Sequence, residues 1–158
     1  MLERVDALAV VHRQLYQSSD ISSFDIGSFA ENLTRDVVGA SGRTDIAISI
    51  DAQPLFIDAT NASALGLILN EILTNSIKHA YANGRPGSLS LLVTNVDDRG
   101  VIRLCDDGPG IPSTRRTKSI GTSLITRLAR QAKAEAVWTG NSPGTCVTIT
   151  FPKRGAAK

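Results

Sequence analysis

Residues 105–112, CDDGPGIP, place two carboxylates, two glycines and two prolines directly after an alternating apolar run. Side chains of a strand alternate between its two faces, so Asp106 shares a face with Ile102 and Leu104 of the run VIRLCD. If this face packs into the core, the carboxylate of Asp106 also points into the core. An ionised carboxylate is costly to bury unless hydrogen-bond donors meet it. The pattern therefore predicts donors around Asp106, either from the protein or from a ligand.

A second group of polar residues lies in the segment LNEILTNSIKHA, residues 69–80. At 100° per residue, one side of this helix is apolar and carries Leu65, Leu69, Ile72, Leu73, Ile77 and Ala80. Glu71, Asn75, Lys78 and His79 cluster on the opposite side. A carboxylate and an amide oxygen one turn apart can converge on a magnesium ion and a reacting phosphate. A solvated polar face is the alternative explanation.

A basic loop follows the glycine and proline turn. It carries Arg115, Arg116 and Lys118, and SIGTSL at residues 119–124 then leads into a helix. Mobile cations, backbone donors and a helix N-terminus suit a polyphosphate. Solvated basic loops are common, and this loop gains significance from its position after both the polar helix and Asp106.

The elements that position these residues are predicted from periodicity and turn chemistry. Helices are predicted at residues 2–17, 28–38, 61–82 and 122–133, with Thr60 or Asn61 as the cap of the third. Strands are predicted at DIAISI, SLSLLVTNV, VIRLCD, AEAVWT and TCVTITF, with hairpin turns at DDRG and GNSPG. Helices segregated against a mixed, mostly antiparallel sheet make an α+β fold, a two-layer sandwich.

The composition of the chain argues against several classes of function. The 158 residues, 42% hydrophobic, suffice for one domain with a short appendage. A net charge of +2 and 4% aromatic residues argue against a nucleic-acid partner. No apolar run reaches the roughly 20 residues of a membrane span and no signal peptide is recognisable, so we expect a soluble, cytoplasmic chain without a membrane segment. Cys105 and Cys146 are predicted to be small buried hydrophobes, neither a disulfide nor a metal pair.

Taken together, these segments resemble the ATP-binding domain of sensor histidine kinases, which has the Bergerat (GHKL) fold. NEILTNSIKHA resembles the N box of that family, DDGPG its first glycine box, SIGTSL its second, and Gly144 with Thr145 its third. The four motifs in this order are a specific sign of the family, whereas each motif alone would be weak evidence. The segment RVDALAVVHRQLYQSSD resembles the end of the dimerisation helix in HWE-type kinases and the related second HisKA class.

The resemblance implies ATP and Mg²⁺ as ligands and a role for each motif residue. Asp106 would accept the adenine amino group, Asn75 would hold magnesium, and Glu71 would be the general base beside the transferred phosphoryl group. Gly108 and Gly110 would let the backbone pass close to the nucleotide. The other implied nucleotide-binding residues are Lys78, His79, Ile111, Arg115, Arg116, Lys118, Ser119, Gly121, Thr122, Ser123, Leu124 and Thr145. Ser119 and Thr122 depart from the second box, where glycine and an apolar residue are frequent.

The resemblance also implies a domain organisation. Residues 1–24 would be the C-terminal part of a dimerisation and phosphoacceptor hairpin, residues 25–154 the catalytic ATP-binding domain, and residues 155–158 a tail. We expect the acceptor histidine on a helix absent from this chain, because His12 has the spacing of a packed seam. The implied partners are a response regulator receiver domain and the dimerisation helices of a homodimer. Two alternatives are a phosphotransfer scaffold with a degenerate nucleotide domain and a serine kinase of the anti-sigma-factor type.

Overall fold

The computed structural model describes residue 9 and residues 23–110, 120–140 and 143–154. Its strands are β1 (Ser23–Asp25), β2 (Ile46–Ala52), β3 (Phe56–Asp58), β4 (Gly87–Val96), β5 (Arg99–Asp106), β6 (Glu135–Gly140) and β7 (Thr145–Pro152). Its helices are α1 (Ile26–Ala40), α2 (Ala59–His79) and α3 (Ile120–Gln131), with a 3₁₀ turn at Ala82–Gly84. The predicted helix at residues 2–17 lies outside the described residues apart from Ala9, which is helical.

The main sheet has five strands in the order β2-β4-β5-β7-β6, and β1 pairs with β3 in a separate two-stranded sheet. β2 is parallel to β4, and the other pairs of the main sheet are antiparallel. A parallel pair needs a crossover connection, which here contains α2. The predicted α+β, two-layer architecture with a mixed sheet and both predicted hairpins is confirmed.

The core lies between one face of the sheet and the helices. Alternate residues of the three central strands point into it: Leu89, Leu91, Val93, Ile102, Leu104, Val147, Ile149 and Phe151 are all buried. On α2 the predicted apolar side is also confirmed, with Leu65, Leu69, Ile72, Leu73 and Ala80 buried and Ile77 partly buried. Within the described ranges, no helix combines the length and the apolar character needed to cross a membrane.

The first residues of α1 and α2 can be compared with the helix starts predicted from the sequence. Asp25 caps α1, since its carboxylate accepts hydrogen bonds from the backbone N–H groups of Gly27 and Ser28. The predicted cap of α2 at Thr60 or Asn61 is wrong, because the helix already begins after Asp58. β3 runs directly into α2 without a loop, so no polar turn separates them. β1 and β3 were not predicted, because three residues are too few to show an alternating pattern.

The two cysteines correct a prediction made from the sequence. Cys105 and Cys146 form a disulfide across β5 and β7, with their Cα atoms 4.1 Å apart. The strand register places the two residues directly opposite each other. They are 41 positions apart in the chain, and their spacing alone does not reveal which residues of two non-consecutive strands face each other. The prediction of unpaired buried cysteines is therefore wrong.

Candidate functional site

Asp106 ends β5 with its carboxylate directed toward α2. One carboxylate oxygen, Oδ1, accepts the backbone N–H groups of Gly108 at 3.0 Å and Thr145 at 3.3 Å, and Oδ2 accepts the hydroxyl of Ser76 at 3.3 Å. Burial raises the pKa of the Asp106 carboxyl, and these three hydrogen bonds oppose the shift. The prediction of donors around Asp106 is therefore confirmed, and the protein itself supplies three of them.

Among the described residues, three donors meet the carboxylate, which leaves room for a further one. Two ionised oxygens offer about four acceptor positions, two on each oxygen. Within the described part of the chain, Oδ1 of Asp106 uses two positions and Oδ2 uses one. The residue is only half-buried, so part of its surface is open to solvent. The geometry suits the recognition of an amino group at the end of β5.

Glycines bring the backbone close to Asp106. A Cβ atom at Gly108 would lie 2.5 Å from the Cβ of Ala80 on the α2 side, where there is no space for it. Gly144 has φ +107°, and a Cβ there would lie 1.8 Å from the carbonyl oxygen of Asp106. Gly110 also has a positive φ of +82°. Residues of the first and third glycine boxes therefore meet at the Asp106 carboxylate.

We expect Gly144→Ala to destabilise the domain by about 2 to 5 kcal/mol, because it combines an unfavourable positive φ with a clash against the β5 backbone. Gly140→Ala is the matched control, since a Cβ there meets no atom of the described residues within 4 Å. It should change the free energy of unfolding by less than about 1 kcal/mol. Urea unfolding of both variants checks this, and equal effects would contradict the close approach at Gly144.

The predicted polar residues of α2 differ in exposure. Glu71 is buried, with 8% of its surface exposed, and Asn75 one turn later is half-buried. Lys78 and His79 are exposed at the end of the helix. Glu71, Asn75 and Lys78 are spaced i, i+4 and i+7, which keeps them along one side of the helix. A solvated face therefore describes the end of α2, but not Glu71.

The remaining predicted residues are partly described. Thr145 is half-buried and reaches Asp106 through its backbone, while on α3 Ser123 is exposed and Leu124 packs against the core. Gly121 and Thr122 belong to the first turn of α3. Outside the described residues lie Ile111, Arg115, Arg116, Lys118 and Ser119, and also His12. The contribution of the basic loop to phosphate binding stays a prediction.

Ser76 is a site residue that the sequence reasoning missed. By the 100° spacing of the helix, it falls in the middle of the apolar side, between Leu65 and Leu69. A polar residue at that position would be buried without a partner unless another element supplied one. The predicted inward carboxylate of Asp106 was such a partner. Together, these two signals could have identified the Ser76 to Asp106 contact.

A network of arginines fixes the end of α2 relative to the sheet. The Arg43 guanidinium donates to the carbonyl oxygens of Tyr81 and Arg85, both at 2.7 Å, and forms an ion pair with Asp45. Arg85 in turn donates to the carbonyl oxygen of Asp107 at 3.0 Å. These contacts join the start of β2, the end of α2 and the end of β5. No local sequence pattern indicated these contacts.

Comparison with known proteins agrees with this geometry. Residues 60–155 match the family model described as histidine kinase-, DNA gyrase B-, and HSP90-like ATPase, and residues 1–41 match a histidine kinase model. The blue-light-activated histidine kinase 2 of Erythrobacter litoralis is 26% identical over an alignment of 161 positions, gaps included, that covers 94% of this chain. The chain spans 45% of the length of that relative.

Solved structures share the fold. The histidine kinase domain of the Erythrobacter litoralis EL346 blue-light-activated kinase superposes with a TM-score of 0.84 at 23% identity, covering 95% of this chain and 73% of that one. The mycobacterial sensor histidine kinase MprB gives a TM-score of 0.69 at 19% identity, covering 84% of this chain and 97% of that one. Because the family model matches residues 60–155, more than half of the chain, the chain belongs to the family of histidine kinase-, DNA gyrase B- and HSP90-like ATPases.

Proposed function

We propose that this domain binds ATP through an adenine site centred on Asp106. The observation that supports the proposal most directly is the half-buried Asp106 carboxylate, held by two backbone amides and Ser76, with acceptor capacity remaining on Oδ2. The exocyclic amino group of adenine is a donor of the right kind for that oxygen. Its hydrogen bond would offset part of the cost of burying the charge.

In this proposal the polar side of α2 binds the phosphates. Asn75 supplies an amide oxygen to Mg²⁺, which prefers few protein ligands and keeps phosphate oxygens and water for the rest. The half-buried position of Asn75, between buried Glu71 and exposed Lys78, fits an ion at the edge of the site. When bound, Mg²⁺ neutralises charge on the phosphates. Lys78 adds a second cation for them, and Arg115, Arg116 and Lys118 of the basic loop would add further positive charge.

For the whole protein, we propose transfer of the ATP γ-phosphoryl group to a histidine of a dimerisation helix, and from there to the receiver domain of a response regulator. Glu71 would orient or deprotonate the attacking group. In this proposal residues 1–24 end the dimerisation hairpin of a cytoplasmic homodimer, residues 25–154 form the catalytic domain, and residues 155–158 are a tail. The match of residues 1–41 to a histidine kinase model supports this arrangement.

Calorimetric titration of the chain with ADP and ATP, with and without Mg²⁺, tests the proposal. We expect saturable binding of one nucleotide that Mg²⁺ strengthens, and GTP should bind much more weakly because it presents a carbonyl where adenine has its amino group. A partner-binding scaffold with a degenerate site would show no magnesium-dependent binding. That result would overturn the proposed function.

We expect Asn75→Ala to weaken nucleotide binding mainly when magnesium is present, by about tenfold or more, because it removes an interaction with a charged group. Without magnesium its affinity should stay close to that of the parent chain. Ser63→Ala serves as the control, since this polar residue of α2 is also half-buried but lies more than three turns before Asn75. An equal loss with and without Mg²⁺ would remove Asn75 from the metal site.

A further inference from the structure

The disulfide and the adenine site are consecutive cross-strand pairs of one sheet. Cys105 faces Cys146, and the next pair along β5 and β7 is Asp106 with Thr145. Because strand side chains alternate, the disulfide lies on the outer face while Asp106 points to the inner face. A reagent can therefore reach the disulfide from the face opposite to the proposed nucleotide.

The two sulfurs have different surroundings. Cys105 is partly exposed and lines a shallow groove on the outer face together with Asp51, Ser90 and Arg103. Cys146 is buried, with 0% of its surface exposed, and its Sγ lies 3.7 Å from the Nη2 donor of Arg103. One sulfur can be attacked from solvent, and the other lies beside a cation that stabilises a thiolate.

We propose that Cys105 and Cys146 form a thiol–disulfide exchange site for a dithiol reductant, and that its redox state controls nucleotide affinity on the opposite face of the sheet. The effect on affinity rests on the nucleotide binding proposed above. Disulfides in reducing compartments are usually redox-sensing or catalytic, which agrees with the proposed cytoplasmic location.

The chemistry follows from the two environments. A thiolate of the dithiol attacks Sγ of Cys105, the S–S bond breaks, and Cys146 leaves as a thiolate next to Arg103. The second thiol of the reductant then attacks the mixed disulfide and releases Cys105. Two electrons and two protons pass to the protein, which gains two thiols, while the reductant becomes a cyclic or intramolecular disulfide.

The coupling to the nucleotide site passes through the neighbouring pair. The linked cysteines hold the Cα atoms of β5 and β7 at 4.1 Å, whereas opposite residues of unlinked antiparallel strands lie about 4.5 to 5.5 Å apart. Separation of the strands after reduction lengthens the Thr145 N–H contact to Asp106, which is already 3.3 Å. The carboxylate then loses a donor that orients it, so the oxidised chain should bind nucleotide more tightly.

The first test compares ADP affinity of the wild-type chain before and after dithiothreitol. Without reductant, the measured mass of the chain should be lower than after reduction by the mass of two hydrogen atoms. Reduction should weaken ADP binding about fivefold to tenfold, which is at the lower end of the coupling usually found between two sites. The Cys105→Ser, Cys146→Ser double variant should match the reduced chain and ignore the reductant. Equal affinity in both redox states would overturn the switch and leave the proposed function intact, whereas no binding in either state would overturn both.

The second test uses the thermodynamic reciprocity between ADP binding and disulfide reduction. If oxidation tightens ADP binding tenfold, ADP must make the disulfide tenfold harder to reduce, which for two electrons is about 30 mV. Alkylation and mass spectrometry in dithiothreitol redox buffers, with and without ADP, measure this shift, and its absence would overturn the coupling.

Arg103→Gln tests the mechanism of reduction. The variant should be reduced more slowly, because the leaving thiolate of Cys146 loses its cation, while the oxidised form keeps its ADP affinity. Arg99→Gln is the matched control, since Arg99 lies on the same strand and contacts Lys133 and Thr150 instead. Equal reduction rates in the two variants would remove Arg103 from the exchange site.

Discussion

The Glu71→Gln variant of the full-length protein is expected to phosphorylate its histidine about 10² to 10⁴ times more slowly than the parent, with nearly unchanged ATP affinity. A positioned acid or base acts on the chemical step, so its loss lowers the rate without removing interactions that bind the ground state. Glutamine replaces one carboxylate oxygen by an amide nitrogen and cannot accept the proton. Single-turnover phosphorylation with saturating ATP measures the effect directly.

The burial of Glu71 determines the choice of substitution. The side chain is 8% exposed and lies between buried Asn70 and Ile72 on α2. Alanine would leave a cavity and could weaken the helix packing, whereas glutamine has nearly the same volume. Asn75→Ala is the informative comparison, because it should reduce ATP affinity in magnesium. Lost ATP affinity with normal phosphorylation per bound ATP in Glu71→Gln would show that Glu71 serves binding and not chemistry.

Much of this architecture could be predicted because apolar residues recur at clear strand and helix spacings. The alternation in β5 placed Asp106 on the inner face, and the helical spacing of α2 put Glu71 and Asn75 on one side. The resemblance implied nucleotide-binding roles for Gly108 and Thr145 beside Asp106. The structure places the backbone of Gly108, Gly144 and Thr145 close to Asp106.

The missed features depend on contacts between distant segments. The disulfide follows from the register of β5 and β7, which alternation alone does not determine, since a shift by two residues keeps every side chain on its face. The arginine network depends on Arg43 in a loop reaching carbonyl oxygens some 40 residues away. Loop arginines are common, so their type and position carry no local signal.

The Asp106→Asn variant is expected to lose ATP and ADP affinity by about tenfold to over a hundredfold, which corresponds to roughly 1.5 to 3 kcal/mol. Asparagine can reproduce the internal contacts of Asp106. Its Oδ1 can accept the amides of Gly108 and Thr145, and its Nδ2 can donate to the hydroxyl of Ser76, which is able to accept. The amide nitrogen then faces the adenine amino group, so two donors oppose each other.

The fold itself should not be weakened by this change. Burial raises the pKa of Asp106 above its unfolded value, so the native state holds its proton more firmly and the stability contribution of this group is lost as pH rises through the folded pKa. Asparagine has no such titration. Relative to the parent, Asp106→Asn should therefore gain stability as the pH rises from about 4 toward neutrality. Urea unfolding across this range measures the difference.

Asp107→Asn provides the matched control for the nucleotide measurement. Asp107 is the adjacent carboxylate, but its Oδ1 accepts the backbone N–H of Ser88 at 2.9 Å and serves the start of β4. Asparagine preserves that acceptor, so ADP affinity should stay within about threefold of the parent, under 1 kcal/mol. Calorimetry of both variants with ADP separates the two carboxylates. Unchanged affinity in Asp106→Asn, or an equal loss in Asp107→Asn, would remove Asp106 from the adenine site, whereas lost affinity with retained stability would assign its charge to the ligand.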